Sequence, residues 1–177
     1  SVLFFGRLWK YKGLQYLMKA APIVSKKIND FKIVLAIHGE PFENYKSYIS
    51  DEKIYEVHEK YIPSEEVSRL FEETSVVILP YVEASQSGVL SLAMSYGKPS
   101  ICTDVGSLSE AMIDGETGIL IPPKDYEALA DAIIKLLEDD NLRIDMGANA
   151  LNHSEKNFSW EKISRLTKES YLRTINA

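Results

Sequence analysis

Short apolar runs alternate with longer amphipathic segments along this chain of 177 residues. Such alternation is typical of βαβ units, in which parallel strands are joined by crossover helices. The apolar runs predict strands at 2–5, 32–37, 54–61, 75–80, 99–104 and 118–121. We therefore expect an α/β fold, a three-layer, Rossmann-like, doubly wound parallel sheet of about six strands.

The segments between these strands have the periodicity of helices. They predict helices at 13–28, 42–50, 64–74, 87–97 and 107–113. Ser64 and the two glutamates after it suit a helix start, because a hydroxyl cap and carboxylates favour the exposed N–H groups and the positive dipole end. From Asp125 onward the pattern predicts a helical C-terminal tail. One apolar stripe of this tail contains Leu129, Ile133, Leu136 and Leu137.

Length and composition suit one folded domain. The chain is long enough for one substantial core, and no repeat or low-complexity linker divides residues 1–177. The opening stretch "SVLFFGRL" has no initiator methionine and begins directly with strand-like residues. We expect residues 1–177 to be a single domain of a longer protein.

Charge and cysteine content exclude several classes of partner and location. The net charge of −6 and the lack of a dense basic run argue against nucleic acid as the partner. One cysteine, Cys102, lies in the apolar stretch "PSICTDV", so we expect no disulfide framework and a buried, inert thiol. No apolar run approaches the length that spans a bilayer. These features predict a cytoplasmic protein without a transmembrane segment.

Unusual residues follow the end of each predicted strand. They form the stretches "GRLWKYKG", "HGE", "YIPSEE", "YVEASQSG" and "VGSLSE". The carboxyl ends of parallel strands meet at one edge of a sheet, and ligands bind beyond that edge. The five stretches therefore predict one ligand site.

The stretch "SQSG" opens a predicted helix. Ser87 and Gly88 would leave backbone N–H groups uncovered at the positive end of the helix dipole, which favours an anion. Arg7 and Lys12, from the first loop, would add a planar guanidinium with two parallel donors and a mobile ammonium, a pair that suits a diphosphate. The alternative is that Ser87 and Gly88 form only a cap and a turn, and that Gly6, Arg7 and Lys12 are ordinary turn and surface residues.

The sequence lacks the patterns of several common enzyme sites. No His, Cys and carboxylate spacing indicates a metal site. There is also no GxSxG elbow, P-loop or GxGxxG fingerprint. Of the histidines, His38 follows a strand at the ligand edge, whereas structural roles are expected for His58 and His153.

Four motifs occur in an order and spacing that resemble one enzyme family. They are "FFGRLWKYKGLQYLMKA", "VVILPYVEASQSGVLSLAMSYGKPSICTDVGSLSEAM", "DGETGILIPPKDYEALADAI" and "FSWEKIS". Together they resemble the C-terminal, nucleotide-sugar-binding half of family 4 retaining glycosyltransferases of GT-B fold, the glycosyl transferases group 1. The resemblance implies transfer of a sugar from a nucleoside-diphosphate sugar to a glycan or lipid-linked acceptor.

The same resemblance implies partners and a setting. The acceptor would bind through an N-terminal domain, so this chain would be inactive alone. No metal or other cofactor is expected, because in such enzymes fixed cations and helix N–H groups stabilise the charge that develops on the leaving diphosphate. Polysaccharide biosynthesis in the cytoplasm, or at the inner face of the membrane for the full-length protein, is the setting that such enzymes suggest.

Site residues follow from the resemblance by position. Arg7 and Lys12 match the basic pair that neutralises the donor diphosphate, and Tyr61 and Ile62 match the segment that lies against the nucleobase. The loop that holds the distal phosphate corresponds to Ser87, Gly88 and Val89. The full set of implied contacts is Gly6, Arg7, Lys12, Tyr61, Ile62, Glu83, Gln86, Ser87, Gly88 and Val89.

One departure concerns the acidic residues. Many family members carry two glutamates separated by seven residues, the first near the donor sugar and the second on the ribose. Anchored on "AMSYG", these positions are Ala84 and Leu92, with Glu83 adjacent to the first. Leu92 cannot accept hydrogen bonds from a ribose, whereas Glu83 stays a candidate catalytic residue that contacts the sugar. Glu110 matches a usually acidic position, or it is only a first-turn carboxylate.

The departure keeps two other hypotheses open. A non-catalytic nucleotide-binding or regulatory module could retain the phosphate site and lack the ribose glutamate. A GT-B epimerase or phosphorylase is the third hypothesis, although no motif for a pyridoxal-phosphate lysine is evident.

Overall fold

The protein is described by a computed structural model, which covers residues 1–158 and 160–175. Within these residues, strands form one sheet in the order β3-β2-β1-β4-β5-β6, and all of its pairings are parallel. The strands are β1 (Val2–Leu8), β2 (Ile33–Gly39), β3 (Tyr55–Glu59), β4 (Val76–Leu79), β5 (Ser100–Thr103) and β6 (Gly118–Ile121). The predicted doubly wound α/β fold of six strands is confirmed.

The helices are α1 (Leu14–Ser25), α2 (Ser64–Glu72), α3 (Gly88–Ser95), α4 (Leu108–Ala111), α5 (Tyr126–Glu138), α6 (Asp140–Phe158) and α7 (Trp160–Ile175). The segment predicted as a helix at 42–50 is a 3-10 helix, Phe42–Tyr48, and the one predicted at 107–113 is the single turn α4. The helical tail is confirmed as α5 to α7. Ser159, within the motif "FSWEKIS", lies outside the described residues.

A side chain caps the start of α3 and of α5, whereas the N-cap residues of α1, α2 and α4 make no side-chain cap. Ser87 caps α3, since its Oγ accepts a hydrogen bond from the Leu90 N–H at 3.4 Å. Asp125 caps α5 in the same way through the N–H of Ala128 at 2.9 Å. The cap expected from Ser64 is wrong in detail, because α2 begins at Ser64 but its N-cap residue is Pro63 and no side chain caps it.

Helices cover both faces of the sheet. Because side chains alternate along a strand, Phe4 of β1 faces one core cluster and Leu3 faces the other. The first cluster packs α1 and α5 against the sheet, and the second packs α2, α3 and part of α6. Both faces of the central strands are therefore buried, as parallel sheets require.

The order of the strands determines where a ligand can bind. From β1 the chain adds β2 and β3 on one side, and it then returns to add β4, β5 and β6 on the other side. β1 and β4 are therefore neighbours, and a crevice forms beyond their carboxyl ends. The two loops after these strands touch, since the Val82 N–H donates to the Tyr11 carbonyl oxygen at 2.7 Å. Gly13 allows this approach: its φ is +70°, and a Cβ there would overlap the Pro80 carbonyl.

Candidate functional site

A buried lysine lies at this crevice. Lys12 is only 9% exposed, and its Nζ donates a hydrogen bond to the hydroxyl of Tyr81 at 2.5 Å. The same Nζ is 4.1 Å from the centroid of the Tyr81 ring. Among the ion pairs of the described residues, none includes Lys12. A buried ammonium without a carboxylate partner is costly, so this position is suited to an incoming anion.

The environment of Lys12 also changes its titration. Burial lowers the pKa of Lys12 to about 8, because the charged form loses hydration that no counter-charge replaces. Burial raises the pKa of Tyr81, so its hydroxyl stays protonated and neutral. The partner of the ammonium is thus a neutral dipole, which does not cancel the positive charge.

Tyr81 connects the lysine to helix α3. Its hydroxyl is 3.4 Å from the Oγ of Ser87, the residue that caps α3. Its own carbonyl oxygen accepts a hydrogen bond from Thr103 Oγ1 at 2.6 Å, which ties the residue to β5. Sequence reasoning missed Tyr81; the available sign was a tyrosine directly after the buried run "VVILP".

The start of α3 is uncovered. Gly88 is exposed, and a Cβ added there would meet nothing within 4 Å. On the opposite side, a Cβ on Gly6 would be 3.5 Å from Cγ2 of Val89, so the end of β1 lies beside the first turn of α3. The structure thus brings Gly6, Ser87, Gly88 and Val89 together with Lys12, as the sequence predicted.

Arg7 is a second cation on the same edge. It is exposed, it pairs in register with His38 of β2, and its guanidinium carbon lies 5.9 Å from the centroid of the Trp9 ring. None of the ion pairs of residues 1–158 and 160–175 involves Arg7. The guanidinium of Arg7 is therefore available to an anion at the mouth of the crevice.

An aromatic surface lies at the ends of β2 and β3. Tyr61 is 72% exposed, and its ring packs edge-to-face on His38 with centroids 5.8 Å apart. Ile62, in contrast, is 7% exposed and belongs to the second core cluster. Tyr61 can offer its side chain to a planar ligand, whereas Ile62 can contact a ligand only through its main chain.

The loop between β4 and α3 lines open cavities. Glu83 and Gln86 are exposed and, with Tyr11, line a cavity of about 410 Å³. Ser107 holds this loop by donating a hydrogen bond from Oγ to the Ser85 carbonyl oxygen. A neighbouring cavity of about 510 Å³ includes Gln86 and reaches Glu110, so the predicted carboxylates flank the start of α3.

Leu92 makes an apolar contact where the resemblance expects an acid. It is half-buried on α3 and packs against the second core cluster. A groove of about 550 Å³ joins it to Leu151 and Phe158 of α6. The helix face that would otherwise carry a carboxylate is therefore hydrophobic at this position.

Other candidate features lie away from the edge. A surface cavity of about 600 Å³ includes Lys27, Lys135 and Asp139, near the C-terminal ends of α1 and α5, and only exposed charges and polar groups could serve a ligand there. Cys102 is buried, and burial raises its pKa, so the thiol is inert as predicted.

Residues 1–158 and 160–175 lack two further features. They contain no group of three or more His, Cys, Asp or Glu side chains that could hold a metal ion. Nor do these residues form a helix whose length and apolar character would let it cross a membrane.

Comparison with known proteins assigns the family. The family model described as Glycosyl transferases group 1 matches residues 1–139. This chain belongs to the glycosyl transferases group 1 family. A D-inositol 3-phosphate glycosyltransferase of Paenarthrobacter aurescens (strain TC1) is 33% identical over 181 residues, covering 99% of this chain and 44% of that relative. The chain thus spans less than half the length of this curated relative, and the resemblance drawn from the four motifs is confirmed.

Solved structures share the fold of this glycosyl transferases group 1 chain. The C-terminal domain of a glycosyl transferase group 1 family protein (LpcC) from Francisella tularensis has a TM-score of 0.80 at 23% identity, covering 90% of this chain and 86% of that one. Anabaena HepE, solved in complex with UDP, has a TM-score of 0.86 at 19% identity, covering 97% of this chain and 48% of that one. The six-stranded Rossmann-like architecture is therefore that of known glycosyltransferases.

Proposed function

We propose that residues 1–177 form the nucleotide-sugar donor-binding domain of a retaining glycosyltransferase whose acceptor is a glycan or a lipid-linked molecule. The observation that carries this proposal is the buried ammonium of Lys12, which takes part in none of the ion pairs of the described residues and is linked through Tyr81 to the cap of α3. Family membership supports the same reading. The complexes of HepE with UDP and with UDP-glucose show that a protein of this fold can take such donors.

The chemistry that we propose is electrostatic. When the bond between sugar and diphosphate breaks, negative charge develops on the leaving phosphate. Lys12 and the N–H groups at the start of α3 are held in place beforehand, and Arg7 lies at the mouth of the crevice. Each would stabilise that charge. We propose that these groups suffice without a metal ion or another cofactor.

The remaining parts of the donor have proposed positions. The nucleobase would lie against Tyr61 and the main chain of Ile62, and the sugar would occupy the cavity between Tyr11 and Glu83. Glu83 would then accept hydrogen bonds from sugar hydroxyls as the proposed catalytic carboxylate. The acceptor would be bound by a part of the full-length protein outside this chain, working in the cytoplasm or at the inner membrane face in polysaccharide biosynthesis.

Calorimetric titration tests the donor site. The chain is titrated with UDP, GDP and ADP in the presence of a chelator, beside a variant carrying Arg7→Ala and Lys12→Ala. We expect one nucleotide to bind and the variant to lose at least about a hundredfold in affinity, since two charge-assisted phosphate contacts are removed. A control carrying Lys26→Ala and Lys27→Ala removes equal charge from an exposed position beyond α1. Equal losses in both variants would contradict the proposal.

A second candidate function is a non-catalytic nucleotide-binding module. It is favoured by Leu92, whose apolar packing removes the carboxylate that family members place on the ribose. The two functions differ in turnover. Full-length protein that binds the nucleotide sugar but neither transfers nor hydrolyses the sugar would support the module, whereas release of the nucleoside diphosphate supports the transferase.

A further inference from the structure

Tyr81 differs from the other groups of the site because its side chain cannot reach an incoming ligand easily. It is 2% exposed, and its ring is packed edge-to-face against Tyr11 with centroids 6.2 Å apart. Its carbonyl oxygen is fixed by Thr103. The Tyr81 hydroxyl forms hydrogen bonds with Lys12 Nζ and Ser87 Oγ, two groups of the candidate site.

We propose that Tyr81 is a positioning residue that holds the Lys12 ammonium at the N-terminus of α3, ready for the diphosphate of a nucleotide-sugar donor. The inference rests on the proposed function, and it adds a residue that acts through Lys12. A lysine has a long, flexible stem, so an unrestrained Nζ would lose much rotamer entropy on binding an anion. The 2.5 Å hydrogen bond restricts that freedom before the ligand arrives.

The choice of a phenol as the restraint has a chemical reason. A carboxylate at this place would hold Lys12 more strongly, but it would also neutralise the charge and repel phosphate. Around Nζ of Lys12 lie the aromatic rings of Tyr11 and Tyr81 and the Tyr81 hydroxyl. Burial lowers the pKa of Lys12. A neutral hydroxyl therefore directs the ammonium and leaves its charge for the ligand.

Removal of one oxygen atom tests this inference. Tyr81→Phe keeps the packed ring and deletes the hydroxyl. We expect the variant to bind UDP, or whichever of UDP, GDP and ADP binds tightest, about tenfold more weakly, because the unrestrained Lys12 side chain must then be ordered when the anion binds. Tyr96→Phe is the matched control, since it deletes a hydroxyl that contacts Ser68 Oγ at 2.7 Å at the far end of α3. Unchanged affinity in Tyr81→Phe would overturn the inference.

A pH series separates positioning from a general loss of packing. Affinity of the wild-type chain should fall as pH rises through about 8, where Lys12 loses its proton. In Tyr81→Phe the ammonium has lost its acceptor, so the fall should begin at lower pH, whereas Tyr96→Phe should keep the wild-type profile. A Tyr81→Phe profile that is weaker at every pH but not displaced would overturn the positioning role.

A double-mutant cycle identifies the route of the effect. If Tyr81 acts through Lys12, then Tyr81→Phe has no further effect on affinity in a Lys12→Met background. A full tenfold loss in that background would overturn the inference while the donor site stands. Absence of binding by the folded wild-type chain to all three nucleotides is a different outcome, because it would overturn the proposed function itself.

Discussion

Gly106, in the loop after β5, lies directly against the main chain of Ala84, in the loop after β4. A Cβ atom on residue 106 would overlap the carbonyl oxygen of Ala84. The adjacent hydrogen bond from Ser107 to the Ser85 carbonyl joins the same two loops. Two neighbouring strands thus hold the loop that leads into α3, so the position of Gly88 depends on β5 as well as on β4.

Substitution of Gly106 should therefore affect both stability and binding. In Gly106→Ala the alanine would have to adopt a φ of +53°, and its Cβ would overlap the Ala84 carbonyl, so the loop that contains Ala84 must move. Gly115→Ala is the control, since Gly115 has a φ of +75° but open space around it. We expect about 1–2 kcal/mol lost from the free energy of unfolding in the control, by denaturant titration, and a larger loss with weakened nucleotide affinity in Gly106→Ala. Equal losses would show that the loop contact is unimportant.

Gly88→Ala should separate stability from binding in the opposite sense. Its Cβ would meet no protein atom within 4 Å, and alanine favours a helix, so the free energy of unfolding should stay equal or rise by up to about 1 kcal/mol. The added methyl group would, however, stand in front of the N–H groups of α3, and we expect at least about tenfold weaker nucleotide binding. Ser95→Ala, at the other end of α3, is the control. Undiminished binding in Gly88→Ala would place the phosphate elsewhere.

Tyr61 should contribute to binding of the nucleobase and not to binding of the phosphates. Tyr61→Ala removes a ring that is 72% exposed, so the free energy of unfolding should change little. Affinity for the preferred nucleotide should fall about tenfold through lost stacking, while affinity for inorganic pyrophosphate, which has no base, should stay unchanged. Tyr171→Ala, which removes a ring 68% exposed on α7, should affect neither affinity. Calorimetry with both ligands decides the point, and equal weakening for both would argue against a base-binding role.

The buried charge of Lys12 predicts a pH dependence of stability. Its pKa is about 8 in the folded chain and rises to its ordinary value of 10.5 on unfolding, so the unfolded state binds more protons between these values. Deprotonation of Lys12 should therefore increase the free energy of unfolding as pH rises from about 8 to about 10.5. Lys12→Met should lack this gain and be at least as stable as the wild type near pH 7. Urea titrations of both proteins at several pH values should diverge accordingly, and parallel curves would show that Lys12 is solvated.

The fold and the edge that carries the site could be predicted from the sequence, because both depend on local patterns. Apolar runs with β-branched residues identify strands, and the ends of parallel strands share one edge whatever their order. Gly6, Ser87 and Gly88 follow from that rule alone. The order of the strands, with β1 beside β4, depends on tertiary packing and is seen only in the structure.

Other features of the site could not be predicted because they depend on contacts between distant residues. Lys12 and Tyr81 are 69 residues apart in the chain, and they meet because β1 pairs with β4 and the segments after these two strands are in contact. Ile62 could not be recognised as a core residue while the strand before it was predicted to run to residue 61, two beyond the end of β3 at Glu59. The helix predicted at 107–113 ends at Ala111 because Met112 has an extended backbone, with φ −122° and ψ 143°. In the turn that follows, Thr117 Oγ1 accepts the Ile113 N–H at 2.8 Å.

The central claim is that Lys12 and the start of α3 bind a diphosphate. A crystal structure of the chain with its preferred nucleoside diphosphate, from crystals grown in the presence of a chelator, tests this claim most directly. We predict that the terminal phosphate will lie between Lys12 Nζ and the backbone N–H groups of Gly88 and Val89, with the hydrogen bond from Lys12 to Tyr81 retained. A diphosphate bound away from the start of α3, or bound there with Lys12 turned away, would contradict the account.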